Sequence, residues 1–64
     1  MTRRRLSETI VEVYTRVVNS GKDGITQSEI AQDARITQHS AKEILVALVE
    51  SGKIITRSQK YYAP

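Results

Sequence analysis

Residues 25–55 read ITQSEIAQDARITQHSAKEILVALVESGKII, and the fold turns on how this stretch is interpreted. Thr26-Gln27-Ser28-Glu29 has the form of a capping box, with threonine at the cap and glutamate three residues on, so that each side chain satisfies a free backbone N–H. A helix is expected over about 27–34, with Ile30, Ala31 and Ala34 facing inward. It is short, because Arg35-Ile36-Thr37 introduces the next start, with Thr37 as N-cap of a helix over about 38–51. In that helix Ala41, Ile44, Leu45, Leu48 and Val49 share one side, and Gln38, His39, Lys42, Glu43 and Val46 occupy the other. Ser51-Gly52 ends it, since a glycine just past the last turn takes up left-handed backbone freely.

Working outward, apolar residues at 6, 10, 13, 14 and 17 predict a further helix over about 4–19, with Glu8, Glu12, Thr15 and Arg16 off the stripe. Asn19-Ser20-Gly21 stops it, and Lys22-Asp23-Gly24 extends the break into a loop. Val11 and Val18 are left over, seven residues apart, either as part of a broad core face or as a second apolar surface for a partner helix. After Gly52 the period changes. Ile54, Ile55 and Thr56, then Tyr61 and Tyr62, flank the polar tip Arg57-Ser58-Gln59-Lys60 and predict a small hairpin over about 53–63. The tip lacks the Asn-Gly or Asp-Gly pair of a two-residue turn. Tyr61 and Tyr62 are strand neighbours, so one faces the core and the other faces away; the core is expected to hold small aliphatics, Tyr14 and one of this pair.

With 64 residues the chain is expected to form one domain over 1–64, mainly α with a small β-hairpin. The sequence has no cysteine, which excludes disulfides and thiolate metal sites. No run approaches the roughly 18 apolar residues of a membrane span. The start Met1-Thr2-Arg3-Arg4-Arg5 leads into Ser7, Glu8 and Glu12 and not into an apolar signal core. A soluble, unprocessed, cytoplasmic protein without membrane contact is therefore expected. Ten Lys and Arg against seven Asp and Glu give a net charge of +3, compatible with a polyanionic partner. The basic residues gather at the two ends, as Arg3, Arg4 and Arg5 and as Lys53, Arg57 and Lys60, with no acid after Glu50.

The order helix, extended residue, helix, helix, hairpin resembles the winged helix-turn-helix family of DNA-binding domains over nearly the whole chain. The resemblance is carried by Ile30-Ala31, then Ile36-Thr37, Ser40-Ala41, Leu45, Leu48 and Gly52 to Ile54. It looks like the family's "IA" pair, Ile-Thr turn and Leu-x-x-Leu-x-x-x-Gly exit, shared by regulators of the MarR and GntR type and by winged modules that bind only protein. The resemblance implies that Ile25 is the first strand of a three-stranded sheet and that the helix from residue 38 is the recognition helix. It departs from the pattern at Glu43, where many members carry arginine, and at Ala34-Arg35, where a glycine is common.

A recognition helix lays its N-terminal half in the major groove, where Gln pairs with adenine and Lys with guanine acceptors. Gln38, His39 and Lys42 fit that need; Thr37 and Ser40, at the helix start, can hold phosphate through hydroxyl and backbone N–H. Arg57 and Lys60 flank the hairpin tip and suit the phosphate backbone or minor groove, or else protect a strand edge. Arg3, Arg4 and Arg5 oppose the dipole of the helix they open, which suits contact with phosphate, or else a frayed terminus that carries the charges cheaply. His39, the only histidine, has no companions for a metal site or a catalytic relay, and Glu43 lies within its reach four residues on. The expectation is duplex DNA binding by a small transcriptional regulator that is no enzyme and carries no cofactor or metal. A homodimer joined through Val11 and Val18 or the chain ends is also expected. The alternative is a protein-interaction module using Glu43 and Val46 within a transcription, replication or plasmid-maintenance complex.

Overall fold

The computed structural model describes residues 5–64, so the expectations on Arg3 and Arg4 lie outside the described residues. Helix α1 spans Leu6–Asn19, and a single 3-10 turn, Gly21–Asp23, leads to strand β1 at Ile25–Thr26. Helix α2 covers Gln27–Ala34 and helix α3 Gln38–Glu50, followed by strands β2 at Ile55–Arg57 and β3 at Lys60–Tyr62. The described chain is thus mainly helical with one small antiparallel sheet, in the order β1-β3-β2. Ile25 stands opposite Tyr61, and Thr56 pairs with Tyr61 from the other side.

Local chemistry fixes each boundary. At the start of α2 the Glu29 N–H donates to Thr26 Oγ1 and the Thr26 N–H donates to Glu29 Oε1, both at 3.2 Å, completing the capping box. At its end Arg35 is left-handed, with φ 56 and ψ 47. The Ile36 N–H reaches the Ala31 carbonyl at 3.0 Å and the Arg35 N–H reaches Gln32 at 3.3 Å, the paired bonds of a Schellman stop. Helix α3 ends in the same way at Gly52, whose φ is 78, with Lys53 donating to Leu48 and Gly52 to Val49, both at 3.0 Å. That stop turns the chain so that Ile54 drops into the core, 1% exposed.

The core is aliphatic. Val13 and Val17 from α1, Ile30, Ala31 and Ala34 from α2, and Ala41, Ile44, Leu45 and Leu48 from α3 pack with Ile25 and Ile54. Ile10, Ile36, Val49 and Tyr61 cover this cluster as partly buried neighbours. The expected inner faces of α2 and α3 are observed, but that of α1 needs correction. Leu6 is 70% exposed and Tyr14 38% exposed, whereas Thr9 is buried. Among the described residues burial on α1 begins at Thr9, so its first turn projects past the core and leaves Leu6 outside it. Thr9 is tolerated inside because its hydroxyl donates to the Arg5 carbonyl at 3.2 Å. Tyr14 lies instead with Val11 and Val18, both exposed, along the other side of the helix.

The two tyrosines of β3 face opposite ways, as alternation requires, yet both are half-buried. Tyr61 packs on the core, and the Tyr62 ring lies over Gly24, where an added Cβ would sit 2.5 Å from Tyr62 Cε1. Gly24 also has φ 73 and ψ 176, a backbone region open essentially to glycine alone.

The hairpin turn consists of two residues, Ser58 and Gln59, because Arg57 pairs directly with Lys60. Their φ values are 52 and 67, the positive pair that a type I′ turn demands. The missing Asn-Gly signal is therefore a cost carried by the turn and not a sign of a longer loop. Replacing both, Ser58→Asn with Gln59→Gly, is expected to stabilise the protein by about 1 kcal/mol. Thermal unfolding followed by circular dichroism checks this; an unchanged or lower midpoint contradicts the turn assignment.

Candidate nucleic-acid interface

Three elements converge at one end of the molecule. Strand β1 runs directly into α2, and the short joint between α2 and α3 sets the start of α3 beside the start of α2. The Gln27 side-chain amide donates to the Gln38 carbonyl at 3.0 Å and to Gln38 Oε1 at 3.1 Å. The Gln38 amide in turn donates to Ser28 Oγ at 3.2 Å. Together with Thr26, Gln59 of the hairpin turn and Tyr61, these residues line a polar cleft of about 510 Å³. Because β3 pairs with β1, the turn residue Gln59 is carried to the two helix starts.

Two helix N-termini meet at this cleft, each offering free backbone N–H groups and the positive end of a helix dipole. Hydroxyls and amides crowd the same place, and the Glu29 carboxylate of the capping box offsets the positive end of α2, so the chemistry on offer is neutral hydrogen-bond donation with a positive bias at the start of α3. Thr37 caps α3 by accepting from the Ser40 N–H at 3.1 Å, and its own hydroxyl donates to Ser40 Oγ at 3.0 Å. The Thr37 proton is thereby committed within the cap, while the Ser40 hydroxyl keeps its own proton for an outside acceptor. Ser28 likewise accepts from Gln38 and retains a proton to give.

Gln38, His39 and Lys42 are all exposed, as the sequence predicts. The His39 ring contacts the Glu43 carboxylate at 3.0 Å, with the two side chains 81% and 69% exposed, a surface pair worth little to stability. Further along, His39, Lys42, Glu43, Val46, Ala47 and Glu50 border a shallow cleft of about 330 Å³, with Val46 42% exposed. The outer face of α3 thus changes character along its length, from amide, imidazole and ammonium to acid and apolar.

The basic residues of the hairpin are distributed differently from the expectation of a single basic tip. Lys60 turns back, its ammonium donating to the Asp23 carbonyl at 3.3 Å. Arg57 lines a separate cleft with Gly21, Lys22, Ile55, Tyr62 and Ala63. Neither lines the cleft at the helix starts. Arg5 is exposed and precedes α1 without a side-chain capping bond. Gln27 and Ser28 were not singled out by sequence reasoning; they sit inside a capping box, which accounts for Thr26 and Glu29 and leaves the two middle residues unassigned. Only the expectation of adjacent helix starts could have drawn attention to them.

Among the described residues no group of three or more His, Asp or Glu is placed to hold a metal ion, and no helix is long and apolar enough to cross a membrane. Family models, curated proteins and solved structures yield no match to this chain.

Removing the cap by Thr37→Ala is expected to cost about 1 kcal/mol and to loosen the first turn of α3. Amide hydrogen exchange is the check: protection at Ser40 and Ala41 falls while that at Leu45 and Leu48 changes only with global stability. Equal loss at all four contradicts a local cap.

Proposed function

We propose that the chain is a winged helix-turn-helix domain that binds double-stranded DNA, acting by occupancy, without catalysis, as a small cytoplasmic transcriptional regulator. Helix α3 enters the major groove, and the hairpin rests on the backbone or in the minor groove. The observation that supports this best is the cleft at the paired helix starts. Gln38, Ser28 and the first backbone N–H groups of both helices meet there, with Ser40 and the exposed His39 and Lys42 on the adjoining turn. Such a surface suits phosphates at the helix ends and base edges in front of α3. The net charge of +3 supplies the long-range attraction. Arg57 reaches phosphate from the hairpin, and Lys60 does so by exchanging the Asp23 carbonyl for an anion.

Binding to a duplex is expected to weaken steeply as salt rises. Lys42→Ala and Arg57→Ala are each expected to flatten the plot of log affinity against log salt by about 1. Fluorescence anisotropy over a range of salt concentrations reads this. A slope near zero for the wild-type protein contradicts the proposal.

Two copies are proposed to act together, because a module of this size makes few contacts with DNA. Ser7, Val11, Tyr14 and Val18 follow the four-three-four spacing of a helix-pairing seam, and all four are exposed. Glu8 lies near one end of this seam and Lys22 just beyond the other, so an antiparallel partner sets unlike charges side by side. Sedimentation at tens of micromolar is expected to give a dimer that Val11→Glu disrupts; a wild-type monomer with and without duplex contradicts pairing.

The second reading, a protein-interaction module, is favoured by Glu43, Val46 and Glu50 on the outer face of α3. Acid and apolar surface there suits a basic polypeptide better than phosphate.

A further inference from the structure

Gln38 is the residue of α3 best suited to adenine, but its side chain is already engaged before any nucleic acid arrives. Its Oε1 accepts from Gln27 and its Nε2 donates to Ser28, at 3.1 and 3.2 Å. A primary amide carries two N–H donors and an oxygen able to accept twice. One donor and one acceptor site are thus used within the protein, and one of each remains. That remainder is what adenine requires, since it offers a donor at N6 and an acceptor at N7 in the major groove.

We infer that Gln27 and Ser28 form a positioning relay that fixes the amide of Gln38, oxygen on the Gln27 side and nitrogen on the Ser28 side, so that Gln38 selects adenine. The inference rests on the duplex-binding proposal and adds the base that one residue reads and the residues that orient it. Gln27 suits the role because its own nitrogen is held at two points. It donates both to the Gln38 backbone carbonyl and to the Gln38 side-chain oxygen, at 3.0 and 3.1 Å, so its amide cannot rotate without losing both bonds. It is also half-buried at the first position of α2, directly after the capping threonine. Ser28 makes the complementary contact and orients the nitrogen. A free glutamine flips its amide between two orientations; one held on both sides presents a single order of donor and acceptor. Selectivity then comes from α2 as well as from α3, and through residues that touch no base.

Two measurements test the relay separately from DNA binding. In the free protein, nuclear magnetic resonance of the Gln38 side-chain NH₂ group should give two well-separated proton resonances with slow rotation. Gln27→Ala and Gln27→Glu should both bring them towards free-amide values; glutamate fails because it offers only acceptors to Gln38's acceptor atoms. Unchanged Gln38 resonances in Gln27→Ala would overturn the relay whatever the protein binds. In the second measurement, sequences are selected from a randomised duplex pool. The wild type should favour adenine roughly tenfold at one position of the bound site. Gln38→Ala should abolish that preference. Gln27→Ala should reduce it to threefold or less, while preferences at other positions persist. A Gln27→Ala variant that keeps the full adenine preference overturns the relay while leaving DNA binding intact. A wild type that recovers no duplex at all overturns the duplex-binding proposal, and the adenine selection falls with it.

Discussion

The joint between α2 and α3 is the constraint on which the rest of the structure depends. It contains only Arg35, Ile36 and Thr37, and each is held by a different force. Arg35 is bent into left-handed backbone, which costs a residue with a Cβ about 1 to 2 kcal/mol. That conformation lets the Ile36 N–H return to Ala31 and the Arg35 N–H to Gln32, satisfying those two carbonyls at the end of α2 and placing the Ile36 side chain against the core. Thr37 then caps α3 at once. Any looser joint would separate the two helix starts, and the contacts from Gln27 to Gln38 would be lost. The angle between the helices and the polar cleft at their ends therefore have the same cause.

The sheet adds the third side of that cleft at little expense. Strand β1 is two residues long and continues without a break into α2, so whatever pairs with it is carried to the same place. Strand β3 pairs with β1 on one side and β2 on the other, and Tyr61 from β3 packs on the core. Ser58 and Gln59 accept positive φ angles at the turn. Among the described residues the non-glycine positions with such backbone are Arg35, Ser58 and Gln59, all polar and exposed. Local preference gives way where polar side chains are presented to solvent and is obeyed where aliphatic ones are buried, a pattern expected of binding surfaces.

Much of the fold was legible in the sequence because its signals are local and redundant. The Thr26 and Glu29 box, the Thr37 cap and the Gly52 stop each act within a few residues, and the buried positions of α2 and α3 repeat with the helical period. What escaped was set by tertiary reach. Leu6 has the right phase on α1 but lies beyond the core, and Tyr14 has the volume of a core residue but falls with the exposed Val11 and Val18. The candidate site was less legible for the same reason. Lys60 was grouped with Arg57 by sequence proximity, yet the structure directs it to the Asp23 carbonyl through a contact between residues far apart in the chain. Gln27 and Ser28 gained meaning only once the two helix starts stood side by side. A capping motif announces its cap residues and is silent about what the intervening side chains touch.

On the duplex-binding proposal, the paired starts of α2 and α3 are the surface that meets DNA. Amide chemical shifts recorded while a short duplex is added at low salt test it most directly. The largest changes are expected on Gln27, Ser28 and residues 37–42, with smaller ones at Arg57 to Gln59, and added salt is expected to reverse them. Changes confined to Glu43, Val46 and Glu50 on adding a protein partner, with none at the helix starts on adding duplex, would contradict it.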